Sequence, residues 1–159
     1  MTPAINIAKK QKITFRTHQY THEQGQTTSY GQEAAEKLGV DAKLVFKTLV
    51  VQLDGTNRLA VAVTPVCSML NMKLTAKAAG AKKATMADKK TVEKTTGYVL
   101  GGVSPLGQKK RLTTIIDISA HKLSTIYVSA GRRGLEIELQ PADLAALTSA
   151  TFAEISKTN

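Results

Sequence analysis

Lys47 stands in the run Val45-Phe-Lys-Thr-Leu-Val-Val51, which is apolar enough to be buried on both faces. A central strand normally excludes an ammonium that lacks partners, because burying an unpaired charge is costly. Two readings stay open: the amine snorkels from an edge, or it lines a pocket and faces an anionic or carbonyl group. A second candidate is Gly97-Tyr-Val-Leu-Gly101-Gly102-Val-Ser104-Pro105-Leu-Gly107-Gln-Lys109-Lys110-Arg111. Gly101 and Gly102 can take positive φ and leave no Cβ between the main chain and a ligand. Pro105 fixes its own φ and pushes Ser104 into an extended conformation. Such a bent, bare loop offers N–H groups to anionic or carbonyl oxygens, and three cations follow it. A glycine-rich connection with a solvated basic end is the plainer reading, since no GxxxxGK[ST], GxGxxG or GxSxG pattern is present.

The remaining chemistry-bearing residues are dispersed. Cys67 has no Cys–His motif around it and reads, among Val66, Ser68, Met69 and Leu70, as a packing thiol. His18 and His22 have an HxxxH spacing, which brings two rings to one face only on a helix, and these fall at a strand end and in a loop. His121 is alone. No metal site and no cofactor are expected, and no carboxylate pair stands out for acid–base work. Tyr20 and Tyr30 flank a polar stretch and either close a pocket or are ordinary half-buried tyrosines.

These residues need elements to position them. Pro3 to Lys12 reads as a helix behind the cap Thr2, and Ile13 to Tyr20 as a strand. Thr21 to Tyr30 reads as a loop and Gln32 to Leu38 as a helix stopped by Gly39. Asp41 caps a further turn, Ala42 to Val45. Phe46 to Leu53 and Arg58 to Thr64 form a hairpin across Asp54-Gly55, ended by Pro65. Helices are predicted over 72–79 and 88–95, with an extended piece near Lys83 to Met86. Strands follow at Thr113 to Ile118, Ser124 to Ser129 and Leu135 to Leu139. A helix is predicted over Pro141 to Leu147 and a last edge strand over Phe152 to Ile155. Strands and short helices without strict βα alternation predict one mixed α/β, α+β-like domain spanning residues 1–159.

At 159 residues with 42% hydrophobic content the chain is long enough to bury a core. No apolar run is long enough to span a bilayer, the start lacks a signal-peptide layout, and the one cysteine excludes an internal disulfide framework. A cytoplasmic location is expected. The net charge of +10 is uneven: residues 73–111 hold ten Lys/Arg against Asp88 and Glu93, hence eight of the ten net charges. Such a field recruits polyanions, nucleic acid first among them. If this stretch folds into one face, Lys82, Lys83, Lys89, Lys90, Lys109, Lys110 and Arg111 are its RNA contacts. Aromatics at 4% are too few for a base-stacking platform, so RNA would be held by its phosphates. No amphipathic basic helix with large aromatics suggests a membrane surface. The residues alone name no reaction.

Several blocks in order resemble a known family: Thr2-Pro-Ala-Ile5, Phe46-Lys-Thr-Leu49, Ala60-Val-Ala-Val-Thr-Pro65, Met86-Ala-Asp88, Thr96-Gly-Tyr98, Gly101-Gly-Val-Ser-Pro-Leu-Gly-Gln-Lys-Lys-Arg111, Thr125-Ile-Tyr-Val-Ser129 and Arg133-Gly-Leu135. Together they resemble the bacterial YbaK proteins, in the superfamily that includes the editing domain of prolyl-tRNA synthetase. The resemblance implies a twisted mixed sheet partly closed into a barrel. It also implies a trans-editing hydrolase that removes cysteine from mischarged proline tRNA, and cysteine tRNA as a further substrate. In that family the substrate's own thiol attacks its ester, so the protein positions the ester and stabilises the oxyanion. The resemblance gives Lys47 the essential role of fixing the terminal nucleotide or the aminoacyl group. It places Tyr20, Tyr30, Thr48, Gly101, Gly102, Ser104, Ser129 and Gly131 on the pocket and Glu136 on the substrate's amino group. The aminoacyl-tRNA acceptor arm is the implied partner, with prolyl-tRNA synthetase a further one, and no DNA. Two alternatives stay open: a non-catalytic carrier of aminoacyl-tRNA, and a sibling deacylase for alanine or proline esters.

Overall fold

A computed structural model describes residues 1–22 and 30–158. The chain starts with helix α1 (Pro3–Lys10), where the Thr2 hydroxyl accepts the Ile5 N–H at 3.3 Å and Pro3 fills the first turn. Strand β1 (Phe15–Gln19) follows, and then helix α2 (Tyr30–Leu38). The stretch predicted as a loop between them lies mostly outside the described residues. A 3-10 turn at Ala42–Leu44, capped by Asp41, leads into β2 (Phe46–Leu53). The hairpin to β3 (Leu59–Pro65) pairs Phe46 with Pro65 and Gln52 with Leu59. Pro65 is the last residue of β3 and ends the pair, as expected. Asp54 and Gly55 both take positive φ at the turn.

Next come β4 (Ser68–Leu70), α3 (Met72–Ala78), β5 (Ala84–Met86) and α4 (Lys89–Thr96), which stops at Gly97 in the left-handed conformation. The glycine loop leads to β6 (Thr113–Asp117), then β7 (Ile126–Arg132), β8 (Leu135–Leu139), α5 (Pro141–Thr148), β9 (Thr151–Ala153) and β10 (Ser156–Thr158). One mixed sheet has the order β5-β2-β3-β6-β9, with β6 parallel to both neighbours. A second, antiparallel sheet has the order β1-β8-β7, and β10 pairs with β4. A parallel bridge from Val45 to Tyr127 links the two larger sheets, and no closed barrel forms among the described residues. The mixed α/β architecture is as expected.

Alternation decides which way each strand faces. Phe46, Val50, Val61, Val63 and Ile116 meet Ile126, Val128, Ile137 and Leu139 of the other sheet in the main core. Ala4, Ile5, Ala8, Val92, Leu144 and the loop residues Tyr98, Val103 and Leu106 complete it. Burying each large side chain there contributes about 1.5–3 kcal/mol. The opposite face of the mixed sheet, with Val51, Leu53, Ala62 and Ile115, takes Ala76 and Ala79 beside α3. A third cluster joins Val45, Val66 and Tyr127 to Ala34 and Ala35 of α2. Among the described residues no helix is long and apolar enough to cross a membrane.

Candidate functional site

The place where β2 meets β7 sets the site. Bridge partners present their side chains on one face, and Val45 and Tyr127 both enter the cluster under α2. Two residues further along each strand the same face carries Lys47 and Ser129. Pairing continues the row: Lys47 is opposite Thr64, Ser129 opposite Glu136, and Glu136 opposite His18. Five strands thus contribute one line of polar residues, Thr64, Lys47, Ser129, Glu136 and His18. The line crosses β2 and β7 just past their bridge, where no further pairing between the two strands occurs among the described residues.

Lys47 is half-buried, and its Nζ donates to the Ser68 carbonyl at 3.1 Å. Burial pulls its pKa below the ordinary lysine value, with Cys67 acting in the other direction. The ammonium keeps donor capacity beyond that one bond. Ser129 and Glu136 are fully buried. The Tyr20 N–H donates to the Gly134 carbonyl at 2.9 Å. Its hydroxyl is buried without a hydrogen-bond partner among the described residues. Burial, then the negative charge of Glu136, pushes the Tyr20 pKa up to about 12, so the group stays a protonated donor. Of Tyr30, which opens α2, only the backbone is described.

The glycine loop closes the other side. Gly101 has φ +94°, and a Cβ on Gly102 would lie 2.7 Å from the Arg132 Cα, so bare backbone docks on the end of β7. There the β7–β8 register shifts between Ser129 and Arg132. Gly131, at φ +115°, donates its N–H to the Ser129 Oγ at 3.2 Å. Thr48 faces away from Lys47, on the side of Phe46 and Val50, toward the core that the loop residues enter. Its hydroxyl also lacks a partner among the described residues. Lys47, Ser129 and Glu136 thus lie on one face of the strands, and Thr48 lies on the other, toward the core that the glycine loop enters.

The packing expected of Cys67 and the bareness expected of the glycine loop need correction. Ser104 is fully buried, its Oγ accepting the Leu106 N–H at 3.2 Å, so it braces the loop from inside. The Gly102 N–H is already bonded to the Val99 carbonyl at 2.9 Å, so the loop is less bare than its composition suggests. Cys67 is exposed, not packed, because the chain turns outward between β3 and β4. The two histidines of the HxxxH spacing go to different acids: His18 Nε2 lies 2.9 Å from Glu138, and His22 Nδ1 lies 2.8 Å from Glu33. No three of His, Cys, Asp and Glu are grouped to hold a metal among the described residues.

Glu33 was not singled out from the sequence. It is fully buried on α2, and its Oε1 also accepts from Arg133 Nε at 3.2 Å, tying α2 to the β7–β8 turn. A lone glutamate before Ala34-Ala35 gave no periodic signal to find it by.

The basic segment does not form one face. Ala76 and Ala79 set α3 on one side of the mixed sheet, and Val92 sets α4 on the other. Lys82 and Lys83 are exposed, their N–H groups both held by Asp54 at 2.9 Å. Lys89 and Lys90 are exposed in the first turn of α4. Lys109, Lys110 and Arg111 line a cleft of about 860 Å³ together with Arg58, Lys94 and Asp88.

The family model for the aminoacyl-tRNA editing domain matches residues 22–147. A protein of Enterococcus faecalis (strain ATCC 700802 / V583), EbsC, named as a candidate Cys-tRNA(Pro)/Cys-tRNA(Cys) deacylase, is 38% identical over 155 residues, 98% of this chain and 93% of that one. The crystal structure of the hypothetical protein APE2540 superposes with a TM-score of 0.83 at 28% identity, covering 98% of this chain and 99% of that one. A solved structure described as a candidate trans-editing enzyme for prolyl tRNA synthetase gives a TM-score of 0.81 at 19% identity, with 98% and 97% covered. At that identity the likeness is one of fold.

Proposed function

Because the chain belongs to the aminoacyl-tRNA editing domain family, we propose that it is a trans-editing hydrolase that removes cysteine from mischarged proline tRNA, and from cysteine tRNA. The observation that supports this reading is the polar row just past the Val45–Tyr127 bridge, where strand register puts Lys47, Ser129 and Glu136 on one face. Among the described residues no histidine is paired with Ser129 as the base that a serine nucleophile needs. A cysteinyl ester brings its own nucleophile. Its Sγ attacks the ester carbonyl carbon, the bond to the ribose oxygen breaks, and the thiol proton ends on that oxygen. The cyclic thioester so formed is opened by water to free cysteine.

Within this reading Lys47 fixes the terminal nucleotide or the ester carbonyl, and the main chain at Gly101 receives the developing oxyanion, with Gly102 held by Val99 and leaving room for the loop. Glu136, buried beside Ser129, holds the substrate's ammonium. Tyr20, protonated throughout, donates a hydrogen bond to the aminoacyl group, and Thr48 and Gly131 complete the wall. Tyr30 belongs to the same wall. Ser104 acts from behind by bracing the loop. We read the two linked sheets as the partly closed barrel of the family, opened at this site. The cytoplasm, where charged tRNA and prolyl-tRNA synthetase meet, is the compartment this function requires.

The test is a deacylation panel of cysteinyl-, seryl-, alanyl- and prolyl-tRNA. Cysteinyl ester should be lost fastest, a cyclic thioester should be trappable, and seryl ester should react at least about 100-fold more slowly. Cys67→Ala should leave the cysteinyl rate unchanged. Equal rates on cysteinyl and seryl esters would rule out the substrate thiol, and faster loss of alanyl or prolyl ester would reassign the specificity.

A further inference from the structure

The cleft beside α4 is remote from the polar row. Among its lining residues are the cations Arg58, Lys94, Lys109, Lys110 and Arg111, against the single acid Asp88. That acid is already engaged: the Thr91 hydroxyl donates to it, which holds its carboxyl below the usual carboxylate range. Two of the cations are fixed in place. Arg58 Nη2 donates to the Ala79 carbonyl at 2.6 Å, and Arg111 donates to the Leu147 carbonyl at 3.1 Å and the Ser149 hydroxyl at 2.7 Å. These bonds cost each guanidinium part of its freedom and leave donors over. Lys109 and Lys110 are set by their own backbone, whose N–H groups donate to the Thr96 and Thr95 carbonyls at 2.9 and 3.2 Å. Like charges gathered in a concave surface focus a positive potential that a polyanion neutralises.

The cleft's position says which part of a polyanion it would take. Gln52 lines the cleft five residues along β2 from Lys47, roughly 17 Å of extended strand and on the strand's other face, so an RNA strand reaching both must round the sheet and span at least that length. The least path corresponds to roughly five nucleotide steps of a stacked strand. The glycine loop also connects the two places: it leaves α4 at Gly97, docks on Arg132 and returns to the cleft at Lys109.

Resting on the editing function proposed above, we infer that this cleft is the seat for the RNA backbone about five or more nucleotides from the esterified 3′ end. Phosphates there meet Lys94 and Lys110 beside the fixed guanidinium groups, while the terminal nucleotide reaches the polar row. The exposed lysines at 82, 83, 89 and 90 then contribute only long-range attraction.

Binding of an uncharged acceptor-stem hairpin RNA with a four-nucleotide single-stranded 3′ end tests this, measured by fluorescence anisotropy across a salt series. The variant Lys94→Glu/Lys110→Glu should bind about tenfold more weakly, with a log–log salt slope shallower by about 1.5, the value for two lost phosphates. The same charge change at Lys9 and Lys10 on α1 should alter the slope far less. The isolated four-nucleotide strand, too short to reach the cleft, should bind both variants alike. Hydroxyl-radical footprinting on the wild-type protein should protect the backbone about five or more nucleotides from the 3′ end, in the acceptor stem and not in the single-stranded end, a readout that needs no variant. Equal losses in the two variants, an equal loss on the short strand, or protection elsewhere overturns the assignment. Because the RNA is uncharged, a protein that binds in this way but hydrolyses no ester would refute the editing function and leave the cleft standing.

Discussion

At position 47 two demands compete: the strand around it is apolar, and the ammonium on it is charged. Its pKa is lowered by burial, so the folded state disfavours the charged form. The penalty is present at pH below the folded value and is relieved as pH rises through it toward the ordinary value of 10.5. Lys47→Met should therefore melt at the same temperature as wild type or higher at pH 7, and the difference should narrow on the alkaline side. Its deacylation rate should fall about 100-fold or more. Thermal melts at pH 7 and 10, with kcat/KM on cysteinyl-tRNA, check both halves. This residue was legible in the sequence because a cation inside an apolar run breaks a strong pattern. Glu33 was not, since its burial and its bonds to His22 and Arg133 come from three separate stretches that only the fold brings together.

At the scale of elements, the glycine loop is held by close backbone approaches that no other residue type would permit. A Cβ on Gly102 would sit 2.7 Å from the Arg132 Cα and 3.1 Å from the Arg133 nitrogen, both main-chain atoms that cannot rotate aside. Gly102→Ala should cost about 1–3 kcal/mol and shift the loop off β7. A fall in kcat/KM larger than the fall in stability explains, read at a temperature where the variant is still folded, would mark the loop as part of the site. Long periodic elements were readable: β2, α3, α4 and β8 fall within one or two residues of their predicted bounds. The three-residue strands β4 and β10 were missed, because so few residues carry no period and owe their form to each other. The split of the basic segment between two sides of the sheet was illegible too, as net charge says nothing of which side a helix packs on.

For the molecule as a whole, Asp117 joins parts distant in sequence. It is 2% exposed and accepts the N–H groups of Ile155, Ser156 and Ser119 at 3.0, 3.1 and 3.2 Å. Burial works to raise its pKa, but hydrogen bonds from Ser119, Ile155 and Ser156 outweigh it and hold the carboxyl below 3.8. A depressed folded value means the stabilisation is present above 3.8 and is lost as pH falls through the folded value. Asp117→Ala should cost about 3 kcal/mol at pH 7, for three N–H groups left without an acceptor. Urea titrations at pH 7 and 3 should show that difference shrink in acid. The bridge from Val45 to Tyr127 has a further consequence, in time and not in space. It joins strands from distant parts of the chain, and parallel pairings such as β3 with β6 are slow steps of any folding reaction. The β2–β3 hairpin can form early and alone, but Lys47 has no Ser129 beside it until the two sheets dock. A chain emerging from the ribosome therefore acquires its secondary structure well before its chemistry, and becomes competent only once β7 and β8 have been made.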